Sequence, residues 1–348
     1  MPIVEDRTPL RFPFPEPPAI GQVTEVAPGI LWARIPLPFR LNHVNLYFIA
    51  DEGGWTVFDT GIYTDDALAA WRQLLDGPLK GTKIARVIVS HAHPDHIGLA
   101  GWLTKEFDAP LLISQTSYLV CLNIMLSPGA LEARQYQDFY ERHGMSQETA
   151  SVVGSQGHDY LRMVCPLPIT FTRLVAGDVL TIGGREFFVH SGDGHSPEQI
   201  MLHCPSQNVL LAADQVMVKI TPNVSVWAVE PDGDPLGLYL RSLEALSHSI
   251  PAEVLVLPGH QLPFYGLRTR CRELIAHHQE RCALIEAACA ERPCSVADLV
   301  PVLFTRELDA HQMGFAFSEA HAHVNYLLRK GRLRHAGTTD GTARVTLA

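Results

Sequence analysis

No stretch of eighteen consecutive apolar residues occurs in this 348-residue chain, and its best apolar runs, such as Val87-Ile88-Val89, have strand length or less. No membrane span is expected. Positive charge is scarce: 27 Lys+Arg stand against 37 Asp+Glu, a formal net charge of −10, which counts against a chain built to grip phosphate backbones. The seven cysteines form no C-x-x-C pair. Odd in number and scattered, they read as reduced thiols of a cytoplasmic protein, not as a zinc ribbon or a disulfide framework. The N-terminus has acids and six prolines before Gly21, where a secretory signal needs a basic start and an apolar core, so export is not expected. Three catalytic templates are also missing. Gly194-His-Ser196-Pro-Glu198 ends in Glu and so is not G-x-S-x-G, and neither H-E-x-x-H nor a G-x-x-x-x-G-K-[ST] loop is found, which leaves a serine hydrolase, a zincin and a P-loop enzyme without support.

What is present is the ordinary balance of a folded α/β protein, 47% hydrophobic and 18% charged. Gly29 to Pro36, Asn42 to Ala50 and Trp55 to Phe58 read as successive antiparallel strands. Asp65 to Leu75 reads as a helix with Leu68, Trp71 and Leu75 on one face, and Ala85 to Ser90 as a further strand. Residues 117 to 158 carry few strand signals and several helical stretches, among them Leu131 to Arg142. Strand rhythm returns through 178–182, 185–190, 199–204 and 208–212, followed by a helix over 236–246, a short strand at 254–257 and a long helix from Arg268 to Ala290. In the tail, an N-capped helix at Ser295, a second over Ser318 to Lys330 and a hairpin from Leu333 to Thr346 suggest a winged-helix module.

The chemistry concentrates in Ser90-His-Ala-His-Pro-Asp-His96, which sets three histidines and an aspartate in six positions straight after a buried strand. Imidazole and carboxylate suit zinc or iron at neutral pH, and a tight loop at a strand end lets such side chains converge. His195, Asp214 and His260 each follow an apolar strand at a turn. With the first cluster they complete a seven-ligand set able to hold two metals.

His91-x-His93-x-Asp95-His96, His195, Asp214 and His260, together with Phe58-Asp59-Thr60-Gly61, resemble the motifs of the metallo-β-lactamase superfamily over roughly residues 22 to 265. The resemblance implies an αββα sandwich with a metal site at one edge. It implies that His91, His93 and His195 bind one metal, that Asp95, His96 and His260 bind the other, and that Asp214 bridges them. Asp59 would orient a ligand histidine through its other ring N–H. Pro258-Gly-His260, the helix with His277 and Arg281 and the terminal winged helix resemble the branch near glyoxalase II. Two departures stand out: Ile97-Gly98-Leu99 replaces the common x-Gly-Gly, and Pro197-Glu198 stands where Pro-Gly is often found.

The expected organisation is a proline-rich arm (1–21), a catalytic domain (22–265) with a helical insertion at about 115–168, and a long helix with the winged-helix module (266–348). The expected cofactors are two divalent metals, zinc first, with iron or manganese accepted by the same donors. A water shared by two metals has its pKa lowered from 15.7 to about 7, which gives a hydroxide able to attack an ester or thioester carbonyl, with Asp95 as proton acceptor. Lactone hydrolysis uses the same machinery. A ribonuclease and a nucleic-acid-binding regulator working through the winged helix are the alternatives, both disfavoured by the acidic charge. From residue 262 onward, 11 Lys+Arg face 9 Asp+Glu, so the tail is only mildly basic, and subunit contacts in a homodimer are its expected partner role. Tyr118, Met125, Tyr136, Phe139, Tyr140 and Tyr160 of the insertion are expected in the core more often than against substrate, with a lid over an acyl chain as the functional alternative.

Overall fold

A computed structural model describes residues 9–129, 134–155 and 157–348. Leu131, from which the sequence starts one helical stretch, and the first eight residues of the arm lie outside the described residues. In chain order the first half holds β1 (Thr24–Ala27), β2 (Ile30–Pro36), β3 (His43–Asp51), β4 (Gly54–Phe58), α1 (Asp65–Asp76), β5 (Ile84–Ile88), α2 (Pro94–Ile97), α3 (Ala100–Phe107), β6 (Leu111–Ile113), α4 (Gln115–Leu126), α5 (Arg134–Arg142), α6 (Gln147–Ser155) and α7 (Gly157–Met163). The second half adds β7 (Thr172–Arg173), β8 (Val179–Ile182), β9 (Arg185–Gly192), β10 (Gln199–Cys204), β11 (Val209–Ala213), α8 (Pro235–Ser249), β12 (Leu255–Pro258), β13 (Phe264–Tyr265), α9 (Leu267–Glu291), α10 (Val296–Leu303), α11 (Ala310–Arg329), β14 (Leu333–Thr339) and β15 (Thr342–Leu347).

The chain divides into two units. One comprises residues up to Leu126, Tyr160–Pro222 and Leu243–Cys271; the other comprises Ser127–Asp159, Asn223–Ser242 and Arg272–Ala348. The first unit contains a seven-stranded sheet in sequential order β1 to β7 and a six-stranded sheet ordered β13-β12-β11-β10-β9-β8. β1 to β4 pair antiparallel, as their hairpin spacing requires, whereas β4, β5, β6 and β7 run parallel through helical crossovers. β2 and β3 are buried on both faces and so read as nearly continuous apolar runs. Trp32, Tyr47 and Ile49 point into a core shared with Val189, Leu202 and Leu211 of the other sheet. Ala33, Ile35, Leu46 and Phe48 point the other way, into a core closed by Trp71 of α1 and Leu103 of α3. Gly54 has φ +159° and makes the tightest of the hairpin approaches: a Cβ there would lie 2.1 Å from the Lys83 carbonyl oxygen.

The second unit is mainly helical. Ser295 caps α10 by accepting from the Asp298 N–H, and the Asp298 carboxylate accepts in turn from the Ser295 N–H. The β14–β15 hairpin turns on Asp340 (φ +50°) and Gly341 (φ +78°), the paired left-handed residues that a two-residue turn of this hand needs. α11 starts at Ala310, eight residues before the helical pattern read from the sequence, because Asp309 caps it by accepting from Gln312 N–H. Among the described residues no helix is long and apolar enough to cross a membrane.

Candidate metal centre

Each candidate ligand, and Asp59 with them, sits just past the carboxyl end of a strand in the first unit: Asp59 after β4, the 91–96 segment after β5, His195 after β9, Asp214 after β11 and His260 after β12. β4 and β5 are parallel neighbours, as are β11 and β12, so these ends open on one edge of the sandwich. Backbone and side-chain bonds tie the two sheets together there. Asn45 N–H donates to the Gly259 carbonyl at 2.7 Å, Tyr47 Oη donates to the Pro258 carbonyl at 2.8 Å, and Ile200 N–H donates to the Ser90 carbonyl at 2.8 Å. Asn45 Oδ1 accepts from Trp32 Nε1 while its amide nitrogen donates to Pro258, which satisfies a polar group buried in an apolar strand.

The structure brings all seven sequence-read donors together in three groups whose ligand atoms lie within 4.8 Å of one another: His91 with His93 and His195; His91 with His96 and Asp214; and Asp95 with His96 and His260. Asp214 lies at the centre. Its Oδ2 is 3.5 Å from His195 Nε2 and 3.3 Å from His260 Nε2, and its Oδ1 is 3.4 Å from His96 Nε2. Asp95 Oδ2 stands 3.2 Å from His260 Nε2. The neighbouring Gly259 is required by this crowding, because a Cβ would lie 2.1 Å from Asp214 Oδ1 and 2.9 Å from His96 Cε1.

Hydrogen bonds from outside the cluster orient three of the rings. His96 Nδ1 donates to Asp59 Oδ2 at 2.8 Å and His260 Nδ1 to the His43 carbonyl at 2.7 Å, which turns each Nε2 toward the cluster; His91 Nδ1 is held by Ser90 Oγ at 2.8 Å. Asp59 itself adopts φ +65°, a left-handed conformation that Asp tolerates better than most residues, and its carboxylate also accepts from Ser90 N–H (2.7 Å) and Ser90 Oγ (2.9 Å).

The electrostatics divide the cluster in two. Burial, reinforced by His96, His93 and His195, pushes His91 well below the ordinary imidazole range, and burial with His195 pushes His93 down to about 3. Both are neutral lone-pair donors at pH 7. Burial also opposes charge at His96 and His260, but Asp214 and Asp95 outweigh it, so that His96 is held well above its ordinary value and His260 rises to about 10. The Asp214 carboxyl is held well below its usual range against burial by His260 and His96. Among the described residues His96 Nε2 and Asp214 Oδ1 are buried without a hydrogen-bond partner. Orphaned donors of this kind, in an all-nitrogen and all-oxygen set containing two carboxylates, fit divalent cations.

The two departures read in the sequence have local explanations. Leu99 is fully buried in the core against α1 and α3 and has φ −102°, so no second glycine is required there. Glu198 does occupy a left-handed position, φ +48°, where glycine would be unstrained; its carboxylate accepts from Thr116 N–H (3.2 Å) and Thr116 Oγ1 (2.6 Å).

The aromatic residues of the insertion are dispersed. Tyr118 is buried in the first unit, stacked on Phe171 at 4.1 Å with its hydroxyl donating to the Pro168 carbonyl, and Met125 is half-buried against the same core. Phe139 and Tyr140 are buried in the second unit, against His321 and Phe317 of α11, and Tyr136 is half-buried nearby in sequence. Tyr160 instead donates to the carbonyl of Ala92, between the candidate ligands His91 and His93, at 2.7 Å. Asn45, Tyr47 and His43 escaped the sequence reading, which had Ser90 only as the start of the histidine segment and Tyr160 only as one of the insertion's aromatics. Only Asn45 had a signal, a lone amide in an apolar strand.

A two-sheet α/β sandwich with His and Asp donors gathered at its strand ends is the scaffold of a metallohydrolase. The family model of the metallo-beta-lactamase superfamily matches residues 40–260, and the chain belongs to that superfamily; the model of a metallo-beta-lactamase-like C-terminal domain matches residues 282–348. A beta-lactamase domain protein from Burkholderia ambifaria, known from its crystal structure, is 40% identical with a TM-score of 0.90, over 97% of this chain and 98% of that one. A metallo-beta-lactamase family protein from Thermus thermophilus is 27% identical with a TM-score of 0.79, over 93% and 100%. A probable metallo-hydrolase of Bacillus subtilis, YqjP, is 22% identical over 312 residues, 86% of this chain and 92% of that one.

Proposed function

We propose that the protein is a dinuclear metal-dependent hydrolase of carboxylic esters or thioesters. The observation that carries this reading is the central position of Asp214, within 3.5 Å of a ring nitrogen on each of His195, His96 and His260. His91, His93 and His195 would hold one divalent cation, zinc first among the candidates, and Asp95, His96 and His260 the other, with Asp214 shared. Bound there, the two cations supply an activated water and Lewis acidity at neutral pH. Asp59 and the His43 carbonyl keep His96 and His260 in the tautomer that presents Nε2. Asp95, whose side chain is 20% accessible, is placed to take a proton and release it outward. All seven cysteines are buried, and burial pushes the Cys121 thiol up to about 11, so a thiolate nucleophile has no support.

An acyl substrate, lactones included, is favoured over RNA by the state of the tail, which we read as a winged-helix module with a structural role and subunit contacts. Arg332 forks onto both carboxylate oxygens of Glu286, so one of the basic residues clustered there that could meet a phosphate chain is already engaged. Metal analysis of purified protein, with turnover measured on p-nitrophenyl esters, acyl-CoA thioesters, lactones and single-stranded RNA, tests the reading. Two metals per chain are expected, with loss of activity and of at least one metal in Asp214→Ala. A native protein without tightly bound metal, or an Asp214→Ala variant with both metals and full turnover, contradicts it.

A further inference from the structure

One stripe of α11 in the second unit, His321, Val324, Asn325, Leu328 and Arg329, faces a cavity of about 310 Å³. Positions i, i+3, i+4, i+7 and i+8 share a helix face, and such a face is normally covered by another element. Here the cavity floor is apolar, from Val324, Val296 and Val345, each at most 6% exposed. Arg329, His335 and Asp232 form an exposed rim. At 310 Å³ the volume sits at the lower end of the range for small-molecule sites.

His321 supplies the second observation. It lines the cavity, is 3% exposed, and among the described residues its Nδ1 has no hydrogen-bond partner. Its ring is stacked on Phe139 at 5.1 Å and lies 4.2 Å from the ring of His143, whose own Nδ1 donates to the Phe139 carbonyl. Burial pushes His321 down to about 3, so it is neutral at pH 7. A buried neutral imidazole nitrogen left unpaired is costly unless a bound molecule pairs it.

We propose that this cavity is a binding site for a small monocarboxylic acid whose apolar body carries a hydroxyl group. The carboxylate meets the Arg329 guanidinium and His335 at the rim, the body lies on the valines, and the hydroxyl pairs with His321 Nδ1. Asp232 on the same rim makes a dianion unfavourable, which separates a carboxylate from a phosphate. The site is independent of the hydrolytic reading, since every lining residue belongs to the second unit and none is a metal ligand.

Calorimetric titration of the native metal-loaded protein with 4-hydroxybenzoate, benzoate and inorganic phosphate tests it. Saturable binding of 4-hydroxybenzoate is expected, roughly threefold to tenfold tighter than benzoate for the extra hydrogen bond, with phosphate much weaker. Kd should rise at least tenfold in Arg329→Gln/His335→Gln, both exposed positions whose variant should keep the native melting temperature. Binding should persist in Asp214→Ala, and the His321 ring nitrogen should shift in the NMR spectrum of 15N-histidine-labelled protein. The proposal is overturned by an absence of saturable binding, by phosphate binding as tightly as the acids, by unchanged affinity in the rim variant, or by binding that disappears with Asp214→Ala. The last result would place the acid on the metal centre.

Discussion

Replacing Asp59 by Asn changes one atom at a position where backbone strain, tautomer and ligand geometry meet. Asn is as tolerant of the left-handed φ of +65° as Asp, so the backbone cost is unchanged. The carboxylate serves three donors: Ser90 N–H on Oδ1, and Ser90 Oγ with His96 Nδ1 on Oδ2. An amide nitrogen in place of Oδ1 would face the buried Ser90 N–H, donor against donor, at a cost of about 1–3 kcal/mol. Placed at Oδ2 it avoids that clash, because Ser90 Oγ can accept, but it then donates to His96 Nδ1. The His96 proton moves to Nε2, the nitrogen that faces Asp214 and Asp95. A protonated Nε2 cannot ligate. The expected result is a tenfold to hundredfold loss in metal affinity, about 1.4–2.7 kcal/mol, with the melting temperature of the metal-free protein nearly unchanged. Asp59→Ala, by contrast, should also unfold more easily by several kcal/mol, since it leaves buried donors unpaired and puts alanine in a left-handed conformation. Metal competition with a chromogenic chelator measures the first effect and calorimetry of the metal-free variants the second. Native metal affinity in Asp59→Asn would refute the assignment of Asp59 as the residue that positions His96.

Three further outcomes follow from particular side chains. Glu198→Ala keeps the left-handed strain and loses the Thr116 hydrogen bonds, for a loss of about 1–2 kcal/mol, whereas Glu198→Gly should recover about 1 kcal/mol of that; equal denaturation midpoints for the two would discount the strain at φ +48°. Burial pushes Glu319 up from 4.5 to about 7 despite Arg281, so its contribution is complete below pH 4.5 and is lost as pH rises toward 7. The wild type should lose about 3 kcal/mol relative to Glu319→Gln across that window, and parallel urea-unfolding profiles would rule this out. Phe139→Ala should cost about 3 kcal/mol of stability through its lost packing on His321, with substrate chain-length preference unmoved; the reverse pattern in melting and turnover assays would restore a lid role.

Much of the centre was legible locally. Ser90 to His96 spans a strand end and one short helical turn, α2, so its four donors converge through backbone geometry that any reader of spacing can foresee. His195, Asp214 and His260 were visible as polar residues at the ends of apolar strands, because a buried strand must terminate where the chain meets solvent or a site. The helix over Asp65 to Asp76 and the long helix carrying Leu274, His278, Cys282 and Ile285 followed from apolar periodicity, and all four of those residues are buried.

Periodicity tells which face of an element is buried but not what buries it. Phe139 and Tyr140 were legible as core residues or lid of a helical insertion, but not their partners, His321 and Phe317, some 180 residues further along the chain. The left-handed backbone of Asp59 and Glu198, the stitching of Asn45 and Tyr47 to the Pro258–Gly259 turn, and the cavity along α11 likewise depend on partners distant in sequence. The sequence by itself determined the donor chemistry and the strand ends that carry it, because both are local. Which donors lie together, which ring nitrogen each turns toward the cluster, and which buried faces remain uncovered were decided only by the tertiary structure, because hydrogen bonds and packing between remote segments set them.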